Sequence, residues 1–311
     1  MREKNMNLKA EFLESQKTKV KEIETIIREY LPKEEGYQRI IMKAMGYSLL
    51  AGGKRLRPML MKETYLLFSG GSVRPEEKGA LYAFMAAQEM IHTYSLVHDD
   101  LPAMDNDDYR RGRKTTHVVY GEDMGILAGD ALLNFAFETA AGAFEAAPDK
   151  SREIAKALQI LGRKAGIFGM LGGQVIDVKE TGHAVSKEIL DTVYELKTAA
   201  LIESSMMIGA VLGGAAAKEL DETEQIAKNI GLAFQIQDDI LDVTGTAATL
   251  GKPVHSDEKN EKTTYVTLFG VEKAKKIVEE KSLRAVLKLK ELPGDHIYLE
   301  QLFRQLICRE K

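Results

Sequence analysis

Five aspartates, at positions 99, 100, 105, 107 and 108, stand in the segment SLVHDDLPAMDNDDYRRGRK with no basic residue among them. Like charges at that density repel one another unless water or a cation joins them. The apolar stretch Leu81 to Val97 runs directly into the cluster, so the carboxylates fall at the C-terminal end of a predicted helix. The helix dipole is already negative there, which disfavours bare carboxylates and favours a bound metal. A second segment, FQIQDDILD, puts Asp238 and Asp242 four residues apart on one helical face, with Asp239 three before Asp242. Thr244-Gly245 ends that helix, so the arrangement repeats the first. Hard oxygen donors at a rather open site suit Mg²⁺ shared with a phosphate. Either cluster alone is equally a solvated helix end; two of them, each followed by basic residues in a chain of formal net charge -4, point to chemistry. An EF-hand loop beginning at Asp105 is excluded, because its sixth position is Arg110 where glycine is needed.

The cations that would meet such a phosphate lie in glycine turns. AGGKRLRP sets Lys54, Arg55 and Arg57 after Gly52-Gly53, and Arg110-Arg111-Gly112-Arg113-Lys114 follows the first aspartates directly. Guanidinium and ammonium groups beside flexible backbone suit a diphosphate. Neither turn is a nucleotide phosphate loop, since no glycine stands five residues before Gly53 and no strand is predicted ahead of it. A third basic segment, Leu250 to Lys259 and on to Lys262-Thr263-Thr264-Tyr265, has the composition of a flap that closes on a bound phosphate and excludes water. His92 lies on the same helical face as Asp99, about 10 Å away along the axis. That alignment favours substrate contact over a role as core filler.

The elements that must hold these groups are helices. Val20, Ile23, Ile26 and Ile27, and later Ile226, Ile230, Ala233 and Phe234, recur at three- and four-residue spacings, and no stretch sustains period-two alternation. Glycines and prolines punctuate the chain without marking a domain boundary, so the expectation is one all-α domain over 1–311 with about ten or more helices. Leu81 to Val97 and Ile202 to Ala217 are apolar or small on most faces and should be central; Met1 to Leu31 and Glu272 to Lys290 should lie outside. Of 311 residues, 44% are hydrophobic and 29% charged, enough for a sizeable core under an ordinary surface. The acidic balance argues against a nucleic-acid partner. The single Cys308 excludes an intrachain disulfide, and the N-terminus lacks the apolar run of a secretory signal. No stretch reads as a membrane span, and a cytoplasmic location is expected.

Taken together these residues resemble the trans-isoprenyl diphosphate synthases, and among them the bacterial farnesyl diphosphate synthases. The likeness runs along nearly the whole chain: GGKRLRP (52 to 58), HTYSLVHDDLPAMDNDDYRRGRKTTH (92 to 117), GMLGGQVIDV (169 to 178), KTAALI (197 to 202), GLAFQIQDDILD (231 to 242) and TLGKPVHSDEKNEKTTY (249 to 265). It implies the all-helical terpenoid-synthase bundle with a central cavity, in a homodimer. By that resemblance Asp99, Asp100 and Asp105 hold two Mg²⁺ ions and Asp238 a third, supported by Asp239 and Asp242, with Mn²⁺ as a substitute. Arg110, Lys197, Lys252 and Lys262 would grip the allylic diphosphate, and Lys54, Arg57, His92 and Arg111 would seat isopentenyl diphosphate. Lys197, Thr198 and Gln235 would supply oxygens toward a carbocation. Two positions depart from the pattern, Lys114 for the proline of RRGxPTxH and Ala199 for the glycine of KTGAL, and neither removes a ligand.

Product length is then a steric matter. Tyr94 lies about 7.5 Å below Asp99 by helical rise, with Ser95 almost directly beneath it. In the family a bulky aromatic there, with Leu101-Pro102 inserted between the aspartates, looks like the fifteen-carbon pattern, so (2E,6E)-farnesyl diphosphate is the expected product, with geranylgeranyl or geranyl diphosphate the alternatives. A terpene cyclase would need no isopentenyl site and normally carries Asn, Ser or Thr with Glu in its second motif. A non-catalytic partner subunit tends to lose these aspartates. An Mg²⁺-dependent phosphohydrolase using His98 and Asp99 leaves the second motif unemployed.

Overall fold

The computed structural model describes residues 2–245 and 262–307. Lys252 and the rest of the expected flap up to residue 261, and Cys308, lie outside that range, whereas Lys262 to Tyr265 lie within it. The fold is all-α, as the periodicity predicts, apart from one two-stranded hairpin among the described residues. The chain packs as two compact units, Met1–Lys62 with Val73–Ile154, and Glu63–Ser72 with Ala155–Lys311.

In the first unit, α1 (Arg2–Glu29) and α2 (Arg39–Leu49) lead to α3 (Leu56–Ser69), which begins there, and to α4 (Lys78–Asp99). The middle of α4, from Ala83 to Ile91, is buried at every position, so this helix must be surrounded. It packs chiefly against α6 (Glu122–Ala141), and α1, α2 and the short α7 (Ala143–Ala146) complete its enclosure. Between α4 and α5 (Thr116–Tyr120) the chain makes the hairpin β1 (Tyr109–Arg110) and β2 (Arg113–Lys114), with Tyr109 opposite Lys114 and Arg110 opposite Arg113. Strands of two residues are too short to show alternation, which is why periodicity missed them. Their turn is Arg111-Gly112, both at positive φ (53° and 74°), the conformation that matches strand twist in two-residue hairpins. The hairpin is fixed to α2 by Tyr47, whose hydroxyl donates to the Lys114 carbonyl at 2.7 Å and whose ring lies 4.3 Å under the Arg113 guanidinium. The side chain of Lys114 is exposed, so the departure from proline there costs the site no contact.

The second unit contains α8 (Ser151–Ala165) from Ala155 onward, α9 (Met170–Glu180), α10 (Lys187–Val193), a π-helical turn (Tyr194–Ala199), α11 (Ala200–Gly213), α12 (Ala217–Thr244), α13 (Tyr265–Phe269), α14 (Val271–Leu289) and α15 (Ile297–Ile307). Every residue of α11 is buried. Lys187–Gly213 as a whole is long and apolar enough to cross a bilayer, but 83% of its most apolar window is buried inside the protein. Gly214, in the left-handed conformation at φ 100°, closes α11. The core between α10, α12, α13 and α14 is built from Leu190, Val193, Leu232, Ile236, Ile240 and Val278 among others. Where the π turn meets α12 there is no room for a side chain: a Cβ on Gly231 would lie 2.4 Å from the Ala199 Cβ. The Ala199 Cα would stand 2.6 Å away as well, so the backbone of the π turn makes Gly231 obligatory whichever small residue occupies position 199.

Gly231→Ala should therefore lower the Tm by several degrees, because overpacking costs about 1–3 kcal/mol. The double variant with Ala199→Gly should recover only part of that loss in the same thermal denaturation, because the Cα of residue 199, 2.6 Å from the added methyl, remains when its Cβ is removed.

Candidate active site

The first aspartate cluster is shaped by the end of α4. Asp99 is its last residue and Asp100 its cap. The loop that follows folds back and donates its N–H groups to carbonyls the helix leaves unpaired: Asp105 N to Asp99 O at 2.8 Å, and Asp107 N to Asp100 O at 3.2 Å. Asp105 and Asp99 are thereby held side by side in backbone, with the side chain of Asp105 exposed and that of Asp99 half-buried. Asp100 is buried, and Arg110 donates to its Oδ1 from Nε (2.6 Å) and Nη2 (2.5 Å). Burial pushes the Asp100 carboxyl up and Arg110 pulls it back only in part. The Arg110 guanidinium gains more from Asp100, Asp99 and Asp107 together than burial takes away.

A basic pocket adjoins this loop in the same unit. Gly52 and Gly53 turn at φ 81° and 132°, and the Arg111 guanidinium occupies the place of a Gly53 side chain, 2.9 Å from where its Cβ would stand, while donating to the Gly52 carbonyl. Arg57 is half-buried beside it; burial and the Arg111 charge lower its pKa to about 10, with Glu89 opposing, and its Nε is buried without a hydrogen-bond partner. The His92 imidazole is held well below its ordinary pKa by burial and by Arg57, Arg111, Arg110 and Arg55. Three of the four groups expected to seat one diphosphate, Arg57, His92 and Arg111, thus come together, while Lys54 is exposed at the turn. Arg55 is different in kind: its side chain is fully buried and paired with Glu89 at 2.8 Å. Tyr94 is buried on α4, its ring edge-on to His98 at 5.9 Å, and Ser95 donates its hydroxyl to the His92 carbonyl.

In the second unit α12 ends in the second cluster. Asp238 is half-buried, and Asp239 and Asp242 are buried. Asp239 accepts from the Tyr194 hydroxyl (2.6 Å), from the Tyr265 N–H at the start of α13 (3.1 Å) and from Gln235 Nε2 (3.4 Å). It therefore ties α12 to both neighbours, a supporting role. The π turn delivers Lys197 and Thr198; wide turns of this kind are frequent at functional sites. Thr198 donates to Gln235 Oε1 at 2.7 Å, pairing the two residues expected to act together. Lys197 and Lys262 both reach one carboxylate oxygen of Asp177, at 2.6 and 3.2 Å. Burial raises the Asp177 carboxyl, but the two lysines overcome it and hold it below the usual range. Asp177 is the residue that reading for clusters missed. It is the aspartate of GMLGGQVIDV, and only its meeting with lysines 20 and 85 residues away reveals its part.

A family model described as polyprenyl synthetase matches residues 38–303. The chain belongs to the polyprenyl synthetase family. Among curated relatives of this family of prenyltransferases, it is 41% identical over 265 residues to the farnesyl diphosphate synthase of Geobacillus stearothermophilus, covering 85% of this chain and 86% of that one. It is 48% identical over 251 residues to a chloroplastic geranylgeranyl pyrophosphate synthase of Capsicum annuum, covering 80% of this chain but 66% of the relative's length. Among solved structures, the geranyltransferase from Helicobacter pylori complexed with magnesium and isoprenyl diphosphate superposes with a TM-score of 0.80 at 30% identity, covering 95% of this chain and 96% of that one.

Among the described residues no group of three or more His, Cys, Asp or Glu side chains is arranged to hold a metal by itself. Asp99 and Asp105, held side by side in backbone, are hard oxygen donors of the kind that suit Mg²⁺, an ion that usually completes its shell with water and phosphate oxygens. His98 is not available as a general base through Nε2, which lies 3.0 Å from the Ile126 carbonyl and must donate to it.

An unfolded chain protonates His92 near pH 6.5, whereas the folded chain keeps it neutral to well below that value. The unfolded state therefore binds the extra proton, and stability should fall as pH drops below about 6.5. His92→Gln should flatten that part of a Tm-against-pH curve, and inorganic pyrophosphate should raise the His92 pKa of the unaltered chain in an NMR titration.

Proposed function

We propose that this polyprenyl synthetase condenses isopentenyl diphosphate with dimethylallyl or geranyl diphosphate to give (2E,6E)-farnesyl diphosphate, with the whole chain acting as one catalytic domain in a homodimer. The observation that carries the reading is that each unit holds an aspartate-ended helix and a set of cations suited to a diphosphate. Lys197 and Lys262, already drawn to one anion at Asp177, are suited to exchange it for an allylic diphosphate, with Arg110 and Lys252 added. Arg57, His92 and Arg111 hold the second diphosphate, with Lys54 at the rim. Asp99, Asp100, Asp105 and Asp238, supported by Asp239 and Asp242, would carry three Mg²⁺ ions. When bound, these supply Lewis-acid stabilisation of the leaving diphosphate. The magnesium and isoprenyl diphosphate in the Helicobacter pylori relative support this assignment.

Thr198 and Gln235, hydrogen-bonded to each other, present fixed oxygen dipoles to the allylic cation left when the carbon–oxygen bond breaks, a stabilisation set in place before reaction. The isopentenyl double bond attacks that cation, and a proton leaves to the released pyrophosphate. Water must be kept out, because it would quench the cation. Tyr94, buried one and a half turns below Asp99, would stop the chain at fifteen carbons. A second reading, a twenty-carbon product, is favoured by the 48% identity to the Capsicum annuum synthase.

Chromatography of the product from dimethylallyl and isopentenyl diphosphates should show farnesyl diphosphate, and a mainly twenty-carbon product overturns that assignment. Tyr94→Ala should lengthen the product. Asp99→Ala or Asp238→Ala should cut kcat by about a hundredfold or more, the scale of losing one pre-set electrostatic contact. Chelator should abolish pyrophosphate release, and release that ignores isopentenyl diphosphate would sink the synthase reading in favour of a hydrolase.

A further inference from the structure

The basic pocket carries its own negative charge, and none of the roles assigned above uses it. Arg55 occupies left-handed backbone at φ 47°, which a non-glycine residue adopts only when its surroundings hold it there. What holds it is a set of contacts below the turn: Nη1 donates to Glu89 Oε1 at 2.8 Å, Nη2 to the Leu49 carbonyl at 2.9 Å, and Glu24 lies at 3.5 Å. The Arg55 and Glu89 side chains are 0% and 3% exposed. Glu89 stands three residues before His92, one turn away on the same face of α4. Its charge also supports Arg57 and Arg111, and it is the charge that most favours each of them. Arg110 is engaged with Asp100, so Arg57 and Arg111 look to Glu89. The Nε atoms of Arg55 and Arg57 are both buried without a partner.

We propose that Glu89 is the internal counter-ion of this anion pocket, anchoring the Gly52–Arg57 turn through Arg55 while no anion is bound and offsetting one of the positive charges that attract a diphosphate. A buried carboxylate in that place does two opposed things. It keeps guanidiniums of like charge assembled, and it weakens the grip on an incoming anion, so that the ligand can leave. Glu89 and Arg55 are therefore positioning residues. The proposal rests on the reading that Arg57, His92 and Arg111 bind a diphosphate.

The test is binding of inorganic pyrophosphate to the full chain by isothermal titration calorimetry in chelator, so that only the basic pocket is read, with thermal denaturation in parallel. Glu89→Gln should lower the Tm of the anion-free protein and tighten pyrophosphate binding about tenfold, the order expected for one buried charge at close range. Arg55→Gln should also lower the Tm but weaken binding by a similar factor. Opposite changes in affinity from the two halves of one ion pair are what a purely structural pair cannot produce, and weaker or unchanged binding in both variants overturns the proposal. If Glu89→Gln does not fold, Arg55→Gln is compared with Arg55→Gln/Glu89→Gln: the double variant should regain the affinity that the single one lost, and failure to regain it overturns the proposal. Absence of pyrophosphate binding in the unaltered chain would instead remove the diphosphate reading of the pocket on which this inference depends.

Discussion

A carboxylate at the C-terminal end of an apolar helix is unfavourable, because burial and the helix dipole both oppose its charge. This chain builds that situation twice, at the end of α4 and at the end of α12. Much of the surrounding structure compensates for it. Arg110 neutralises Asp100, and the folded-back loop caps the carbonyls at the end of α4. Tyr194, Tyr265 and Gln235 satisfy Asp239. The less buried part of each cluster is Asp99 with Asp105 at the first and Asp238 at the second.

The cations follow the same logic with the sign reversed. Arg111 lowers the proton affinity of Arg57, both lower that of His92, and the buried Glu89–Arg55 pair stands beside them. Lys197 and Lys262 share one carboxylate. In both places a side-chain anion holds positive groups together. In the proposed mechanism, diphosphate binding exchanges one set of ion pairs for another, at lower cost than gathering free charges from solution.

Close packing supplies the remaining constraint. The π turn that presents Lys197 and Thr198 is pressed against α12 at Ala199 and Gly231, and on the same face Lys228 pairs with Glu195 at 2.5 Å and Gln235 meets Thr198. Three contacts in register along α12 fix the turn whose oxygens face the reacting carbons in the proposed mechanism. A single methyl group added at that seam reaches the site.

The amino-acid sequence by itself determined the helices, their central or outer placement, both aspartate ends and the basic turns, since each is written in local spacing: apolar residues at three and four, acids at a helix end, glycines before arginines. It also carried the family likeness, through motifs spread along the chain. Tertiary structure decided which charges are free to act. Arg55 and Arg57 are two residues apart in one motif, yet one is an internal ion pair and the other a ligand candidate, because Glu89, 34 residues on, bonds directly to the first and acts on the second through its charge. Asp177 and the hairpin turn at Arg111-Gly112 likewise depended on partners or backbone angles that no local pattern records. Spacing specifies which residues share a face; only packing specifies which partner is already there.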